Sequence, residues 1–339
     1  MITMEPIQYK PQDFKSDQEV RWCPGCGDYA MLNSLQKAMA EIGVAPEKTV
    51  VVSGIGCSSR LPYYVNSYGM HTIHGRASAI ASGIKVANPE LTVWQITGDG
   101  DCLAIGGNHF IHAVRRNIDL NILLFNNEIY GLTKGQYSPT SRLGFVSKSS
   151  PYGTVEEPFR PAQLTFGARG TFFARTIDVD LKTSQDVLIQ AARHKGCSVV
   201  EALVNCVIFN EGTHKSITEK EFRADKTIVL KHGEPMIFGK NNDKGLIIDG
   251  FNLRSVTIGE NGITEKDIMV HDAKCSDPTL HFKLGNMKDD LPVALGVIRN
   301  IDETSYDQAV ADQITDVQAK RPIRKLEEFL HTLETWEIQ

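Results

Sequence analysis

The stretch LTVWQITGDGD at residues 91–101, followed by LNILLFNNEIYG at residues 120–131, decides the fold. Leu91 to Thr97 and Leu120 to Phe125 are apolar runs rich in β-formers and read as strands. Asn108 to Arg116 between them reads as a short helix. Strand, glycine loop, helix, strand, asparagine loop is a βαβ crossover. Its strands are parallel, and both polar ends lie at strand carboxyl ends. The expected fold is therefore α/β, a mostly parallel sheet flanked by helices, which binds ligands in the crevice at that edge.

The residue types indicate the ligand. Asp99 offers a carboxylate and Asn127 a carboxamide oxygen, donors that suit Mg²⁺, which takes one or two carboxylates and completes its shell with phosphate oxygens and water. Gly98 and Gly100 let the backbone approach a phosphate closely. Either piece alone reads as an ordinary turn. Two of them, each directly after a strand, carry the ligand reading together.

Composition narrows the class. The chain has 339 residues, 36 basic and 41 acidic, a net charge of −5, with no basic stripe for nucleic acid. No apolar run reaches the ~18 residues of a membrane span. The start, Met1 to Ile7, lacks the charged and apolar regions of a signal peptide. Seven cysteines favour reduced thiols, metal ligands or reactive groups in a cytoplasmic protein over a disulfide framework. The expected organisation is a polar arm at 1–20, a core domain at 21–209, and a C-terminal extension at 210–339 that covers the core or meets a partner.

Four cysteines have informative places. WCPGCG at residues 22–27 sets Cys23 and Cys26 three apart, able to chelate one metal or cluster iron. A thioredoxin-like redox pair needs a strand before it, and Asp17 to Arg21 is a poor one. Half a zinc site or a structural pair remain as readings. A helix over Asp28 to Ile42, ended by Gly43, leads to a buried strand at Thr49 to Ser53 and then to GIGCSSR at residues 54–60. That glycine loop carries Cys57 and, three residues on, Arg60, whose planar cation suits a carboxylate. His74 and Arg76 precede a small-residue helix, Ala77 to Ala87, whose start could face an anion. Cys102 reads as a buried inert thiol. Tyr130 to Thr140 forms a functional-looking loop, and residues 141–163 a long connection.

A second α/β unit follows. It has a strand at Phe172 to Arg175, a helix capped by Ser184 that runs through Lys195, and a strand at Ser198 to Val204. Cys206 stands at the carboxyl end of the last strand, on the edge shared by Cys57, Asp99 and Asn127; Cys197 and Cys275 lack this placement. Beyond about Asn210 the sequence offers strand-like pieces at Thr227 to Leu230, Leu246 to Ile248, Ile268 to Val270 and Leu291 to Ile298, and a helix at Ile323 to Glu334.

Four thiolates can bind one 4Fe–4S cluster or one zinc, and spacing alone leaves both open. The GDGD and NN pair resembles the diphosphate-binding signature of thiamine diphosphate enzymes. Oxidative decarboxylation at that cofactor needs a one-electron acceptor, which a cluster provides and redox-inert zinc does not. The combination resembles the 2-oxoacid:ferredoxin oxidoreductases, in particular their thiamine diphosphate-binding β subunit. The likeness runs through WCPGCG at residues 22–27, GIGCSSR at 54–60, HGR at 74–76, the GDGD and NN pair, and YGLTKGQ at 130–136, and on through the Cys206 segment and tail.

The resemblance implies that Cys23, Cys26, Cys57 and Cys206 hold a 4Fe–4S cluster and that Asp99, Asn127 and the Ile129 carbonyl hold Mg²⁺. It places cofactor contacts at Gly56, Ser58, His74, Gly98, Asp99, Gly100, Asp101, Asn127, Ile129, Gly131, Leu132 and Thr133, with catalytic roles for Arg60 and His74. SSR and TKGQ resemble the 2-oxoglutarate branch, in which Arg60 would meet the second carboxylate of the substrate. The implied reaction takes 2-oxoglutarate and coenzyme A to succinyl-CoA and CO₂, or the reverse, with electrons passing singly to ferredoxin. The aminopyrimidine-binding domain is absent from the sequence, so an α subunit, in a dimer of αβ pairs, is implied. Other readings are an enzyme for pyruvate or branched-chain 2-oxo acids, a non-oxidative decarboxylase half with structural zinc, and a non-catalytic iron–sulfur carrier.

Overall fold

The computed structural model describes residues 8–339 apart from 289, 321–324, 333, 335, 337 and 339. Eight strands form the main sheet: β1 (Thr49–Ser53), β2 (Tyr68–His71), β3 (Thr92–Gly98), β4 (Asn121–Asn126), β5 (Phe172–Ile177), β6 (Ser198–Leu203), β7 (Thr227–Leu230) and β8 (Val293–Asn300). Their order across the sheet is β2-β1-β3-β4-β6-β5-β8-β7. Every pairing is parallel except β8 with β5, which is antiparallel. Helices α1 (Asp28–Ile42), α2 (Ala77–Ala87), α3 (Asp99–Leu103), α4 (Gly107–Arg115), α5 (Pro161–Gly167) and α6 (Leu181–Arg193) connect or flank these strands.

Alternation along the strands explains the layering. Val50, Val52, Ile122 and Leu124 pack into one core with α2 and α4 residues Ala81 and Phe110. Val51, Leu123 and Phe125 point the other way, to a core shared with Phe14 and with Met31 and Leu35 of α1. Both faces are therefore buried, which is why these strands read as continuous apolar runs. Truncating a side chain such as the fully buried Leu123 to alanine costs about 2–5 kcal/mol in such a core.

Several local expectations change. The GDGD segment is not a loop: Gly98 caps a one-turn helix, α3, that starts at Asp99 itself. Helix α6 begins at Leu181, with Asp180 as its cap accepting from the Thr183 amide at 3.1 Å; Ser184 lies inside the helix, bonded to Thr176. The stretch at 268–270 is no strand and makes only an isolated bridge, Val270 with Pro235. Residues 323, 324 and 333 of the expected C-terminal helix lie outside the described residues; the described part is helical at Leu326–Leu330. Residues 1–7 of the expected arm also lie outside them, while Pro11–Phe14 forms a 3₁₀ turn that buries Phe14. Two strands after residue 210, β7 and β8, complete the main sheet. Among the described residues no helix is long and apolar enough to cross a membrane.

Candidate cofactor and thiol site

Four adjacent parallel strands, β1, β3, β4 and β6, end along one edge, where Ser53 pairs with Ile96, Gly98 with Phe125, and Asn126 with Leu203. Cys57, Asp99, Asn127 and Cys206 follow these ends in turn. A cavity opens there, lined by Gly56, Ser58, His74, Gly98, Asp99, Gly100, Asp101, Asn127, Ile129, Gly131, Leu132 and Thr133. The sequence named those twelve. The cavity adds Cys57 and four residues it did not single out: Asp28, Ile55, Phe125 and Tyr130.

Asp99 is fully buried, and its Oδ2 accepts from Ser138 Oγ and Thr140 Oγ1, both at 2.5 Å. Burial pushes its carboxyl up to about 6 in spite of these donors. A divalent cation would supply the counter-charge this carboxylate lacks. Asn127 folds its Oδ1 back to the Ile129 amide at 3.2 Å, across Glu128, which adopts φ +55°. The polar floor continues at Tyr130, whose hydroxyl donates to the Gly100 carbonyl at 2.9 Å.

Asp101 is spent on the protein rather than on a ligand. Its Oδ1 accepts from His74 Nδ1 and the Gly75 amide, both at 2.7 Å, and from the Ile55 amide at 3.1 Å. Its Oδ2 accepts from Thr97 Oγ1 at 2.7 Å. One buried carboxylate thus fixes the Gly54 loop, the His74 turn and the end of β3. Only glycine fits at position 54, where a Cβ would stand 1.8 Å from Asp101 Oδ2. Gly56, two residues on, has φ +123° and free space beside it, so its backbone forms an open cradle toward the cavity. His74 is held through Nδ1, which leaves Nε2 as the ring nitrogen able to meet a ligand.

The cysteines sit at one side of this cavity. Trp22 Nε1 donates to the Cys57 carbonyl at 2.7 Å, and the Gly27 amide to the Asn205 carbonyl at 3.2 Å. These bonds stitch together the three segments that carry Cys23, Cys26, Cys57 and Cys206. A Cβ built on Gly131 would lie 3.5 Å from Cys206 Sγ and 3.6 Å from Cys57 Sγ. The two sulfurs therefore abut a residue that itself lines the cavity. Burial, then the Asp28 carboxylate and the Cys206 and Cys23 thiols, pushes Cys57 up to about 12, against Arg60. Burial, then Asp28, raises Cys26 as well. Such thiols stay protonated until a cationic centre takes their protons' place. Among the described residues no three His, Cys, Asp or Glu side chains close on one point as a single ion requires.

Asp28 was legible only as a helix-start acid. It is buried, its Oδ2 has no hydrogen-bond partner among the described residues, and burial pushes it up to about 7. It lines the cavity, and its charge acts on the Cys26 and Cys57 thiols. Arg60 is not part of the cavity lining. It donates to the Arg21 carbonyl at 3.1 Å and lines a neighbouring surface cleft with Arg21, Tyr63 and His71. Cys102 and Cys197 are buried away from the group.

Residues 54–202 match the family described as thiamine pyrophosphate enzyme, C-terminal TPP binding domain. The chain is 47% identical over 333 residues to the 2-oxoglutarate oxidoreductase subunit KorB of Mycobacterium tuberculosis, covering 97% of this chain and 88% of that one. It is 48% identical over 185 residues to the 2-oxoglutarate synthase subunit KorB of Archaeoglobus fulgidus, covering 55% of this chain and 69% of that one. Among solved structures it is similar to the 2-oxoglutarate:ferredoxin oxidoreductase of Magnetococcus marinus, which was solved with 2-oxoglutarate, coenzyme A and succinyl-CoA bound. That match has a TM-score of 0.78 and 31% identity and covers 98% of each chain.

Proposed function

The chain belongs to the β-subunit family of the 2-oxoacid:ferredoxin oxidoreductases, and from that premise we propose that it is the thiamine diphosphate-binding subunit of a 2-oxoglutarate:ferredoxin oxidoreductase. With an α subunit it converts 2-oxoglutarate, coenzyme A and two oxidised ferredoxins to succinyl-CoA, CO₂, a proton and two reduced ferredoxins, or runs the reverse. The observation that carries this reading is the abutment of Cys57 and Cys206 on Gly131, beside the cavity that holds Asp99 and Asn127. A phosphate-and-metal site and a four-thiol site share one wall.

Thiamine diphosphate supplies the chemistry that removes CO₂ from a 2-oxo acid. This chain's residues do the rest. Asp99, Asn127 and the Ile129 carbonyl hold Mg²⁺. Gly56, Ser58, Gly98, Gly100, Gly131, Leu132 and Thr133 shape the cofactor bed. Asp101 fixes the rim and holds His74 through Nδ1, so that Nε2 would be the nitrogen that meets cofactor or substrate. Cys23, Cys26, Cys57 and Cys206 hold one 4Fe–4S cluster, a one-electron carrier that redox-inert zinc cannot replace beside a cofactor whose reaction releases electrons.

Residues 21–209 carry every assigned side chain, while residues 210–339 extend the sheet and meet the partner subunit, the assembly being a dimer of αβ pairs. Seven free thiols suit a cytoplasmic enzyme. Assembled with its α subunit, the enzyme should reduce a low-potential one-electron acceptor only when 2-oxoglutarate and coenzyme A are both present. Acceptor-independent product release would point to the non-oxidative reading. The chain alone should not turn over; full-rate turnover without the α subunit would contradict the assembly.

Arg60 is proposed to fix the second carboxylate of 2-oxoglutarate, once the partner subunit closes the cleft where it lies. Arg60→Ala should then raise KM for 2-oxoglutarate at least about tenfold, the loss of one charge-assisted contact of ~1.5–3 kcal/mol, and leave KM for 2-oxobutyrate nearly unchanged. Equal effects on both substrates would remove Arg60 from this role.

A further inference from the structure

A chain of buried polar side chains that do not line the cavity leads from Asp99, at the candidate metal site, across the sheet. Thr140 Oγ1, which donates to Asp99 Oδ2, also lies 2.9 Å from Asn126 Oδ1. Asn126 Nδ2 donates to Glu201 Oε1 at 2.8 Å, and Arg175 Nε donates to Glu201 Oε2 at 2.7 Å. Arg175 is anchored in turn on two backbone carbonyls, Gly285 at 2.9 Å through Nη2 and Ala294 at 3.4 Å through Nη1. Every side chain in the series is buried. The path runs from the start of α3 through β4 and β6 to β5, and ends on chain from the C-terminal third.

Two physical points separate this path from ordinary core packing. A buried ion pair is often no more stabilising than apolar residues of the same volume, so Glu201 and Arg175 are weakly explained by stability alone. Thr140 also has one hydroxyl proton and two acceptors, Asp99 Oδ2 and Asn126 Oδ1, and can serve one of them at a time. Whichever way that proton points depends on how firmly Glu201 and Arg175 hold the Asn126 carboxamide. The geometry points to Thr140, Asn126, Glu201 and Arg175 as positioning residues for Asp99. They aim its carboxylate at the metal and hang that alignment on Gly285 and Ala294. This rests on the reading that Asp99 binds Mg²⁺ together with thiamine diphosphate.

The test uses the assembled enzyme stripped of metal and cofactor, and reads the Mg²⁺ concentration needed for half-maximal retention of thiamine diphosphate in equilibrium dialysis. Thr140→Val keeps the shape and removes the hydroxyl. It should raise that concentration about 10–100-fold, the usual effect of losing an outer-shell partner. Thr140→Ser should restore most of the affinity, and the melting temperature of the metal-free complex should not follow the same order. Glu201→Gln should weaken retention too, and the double variant should be no worse than Thr140→Val alone, because both act through one path. Unchanged Mg²⁺ affinity in Thr140→Val, or additive losses in the double variant, would overturn the proposal. If Glu201→Gln does not assemble, the comparison of valine with serine at position 140 decides. Asp99→Ala run alongside separates the two failures. If it too retains the cofactor at wild-type Mg²⁺, the metal assignment itself is wrong; if it alone loses it, only the positioning path is.

Discussion

Asp99→Ala should abolish retention of Mg²⁺ and thiamine diphosphate by the assembled enzyme at any physiological metal concentration. Asp99 is the one carboxylate among the three proposed metal contacts, since Asn127 and the Ile129 carbonyl are neutral. Its burial is also incompletely compensated by the protein, with a carboxyl pushed up to about 6 although two hydroxyls donate to it. Removing an outer-shell partner of a metal ligand costs about 10–100-fold, and removing the charged ligand itself should exceed that. The expected loss in Mg²⁺ affinity is thus more than about a hundredfold, read by dialysis or calorimetry of the metal-free complex. Asp99→Asn keeps the shape and one oxygen donor, and should fall between alanine and wild type. An Asp99→Ala enzyme that binds cofactor normally would move the diphosphate site elsewhere.

Cys57→Ser should remove the iron while leaving the cofactor site intact. Cys57 links the segments of the other site cysteines: its carbonyl accepts from Trp22, next to Cys23, and its sulfur lies by Gly131 together with that of Cys206. A serine oxygen is a poor replacement for thiolate at a cluster. Iron per αβ pair should fall to near background, and acceptor reduction should fall with it by at least about a hundredfold. Thiamine diphosphate should still bind, because the substitution leaves the three proposed metal contacts, Asp99, Asn127 and the Ile129 carbonyl, in place. Cys275→Ser is the matching control; Cys275 follows the last site cysteine by almost seventy positions and takes no part in the group, so iron content should not change. Iron retained in full by Cys57→Ser would take this residue out of the ligand set.

What the sequence made legible was the part governed by local pattern. The limits of α1, β1 and α2 follow from apolar periodicity, from Gly43 at φ +76° closing α1, and from runs of buried β-formers. The gathering of Cys57, Asp99, Asn127 and Cys206 followed from parallel strands sharing one carboxyl edge. The features that escaped depend on distant partners or on exposure. Strand β2 is exposed along its whole length at the sheet edge, so Tyr68–His71 shows no alternation to read. The helix Tyr306–Lys320 buries little beyond its first turn and carries only a weak apolar face. The antiparallel seam between β5 and β8 joins segments more than a hundred residues apart.

The site shows the same division. Asp28 could be read as the first residue of a helix, but its burial at the cavity with an unpartnered oxygen arises from tertiary packing. Asp101 belongs to a diphosphate motif in sequence, yet its four hydrogen bonds all go to the protein. Arg60 follows Cys57 closely in sequence, but the 3₁₀ turn of Ser58–Tyr64 carries it to a different cleft. Residue type and spacing identified the neighbourhood; the direction of each side chain was set by contacts across the fold.

The most direct test is anaerobic metal and cofactor analysis of the chain assembled with its α subunit. The expected result is about four irons and one thiamine diphosphate per αβ pair attributable to this chain, with only the irons lost in Cys57→Ser, and a broad thiolate-to-iron absorption that bleaches when 2-oxoglutarate and coenzyme A are added. Zinc in place of iron, with thiamine diphosphate still bound and no bleaching, would contradict it and leave Cys23, Cys26, Cys57 and Cys206 as a structural site in a non-oxidative enzyme.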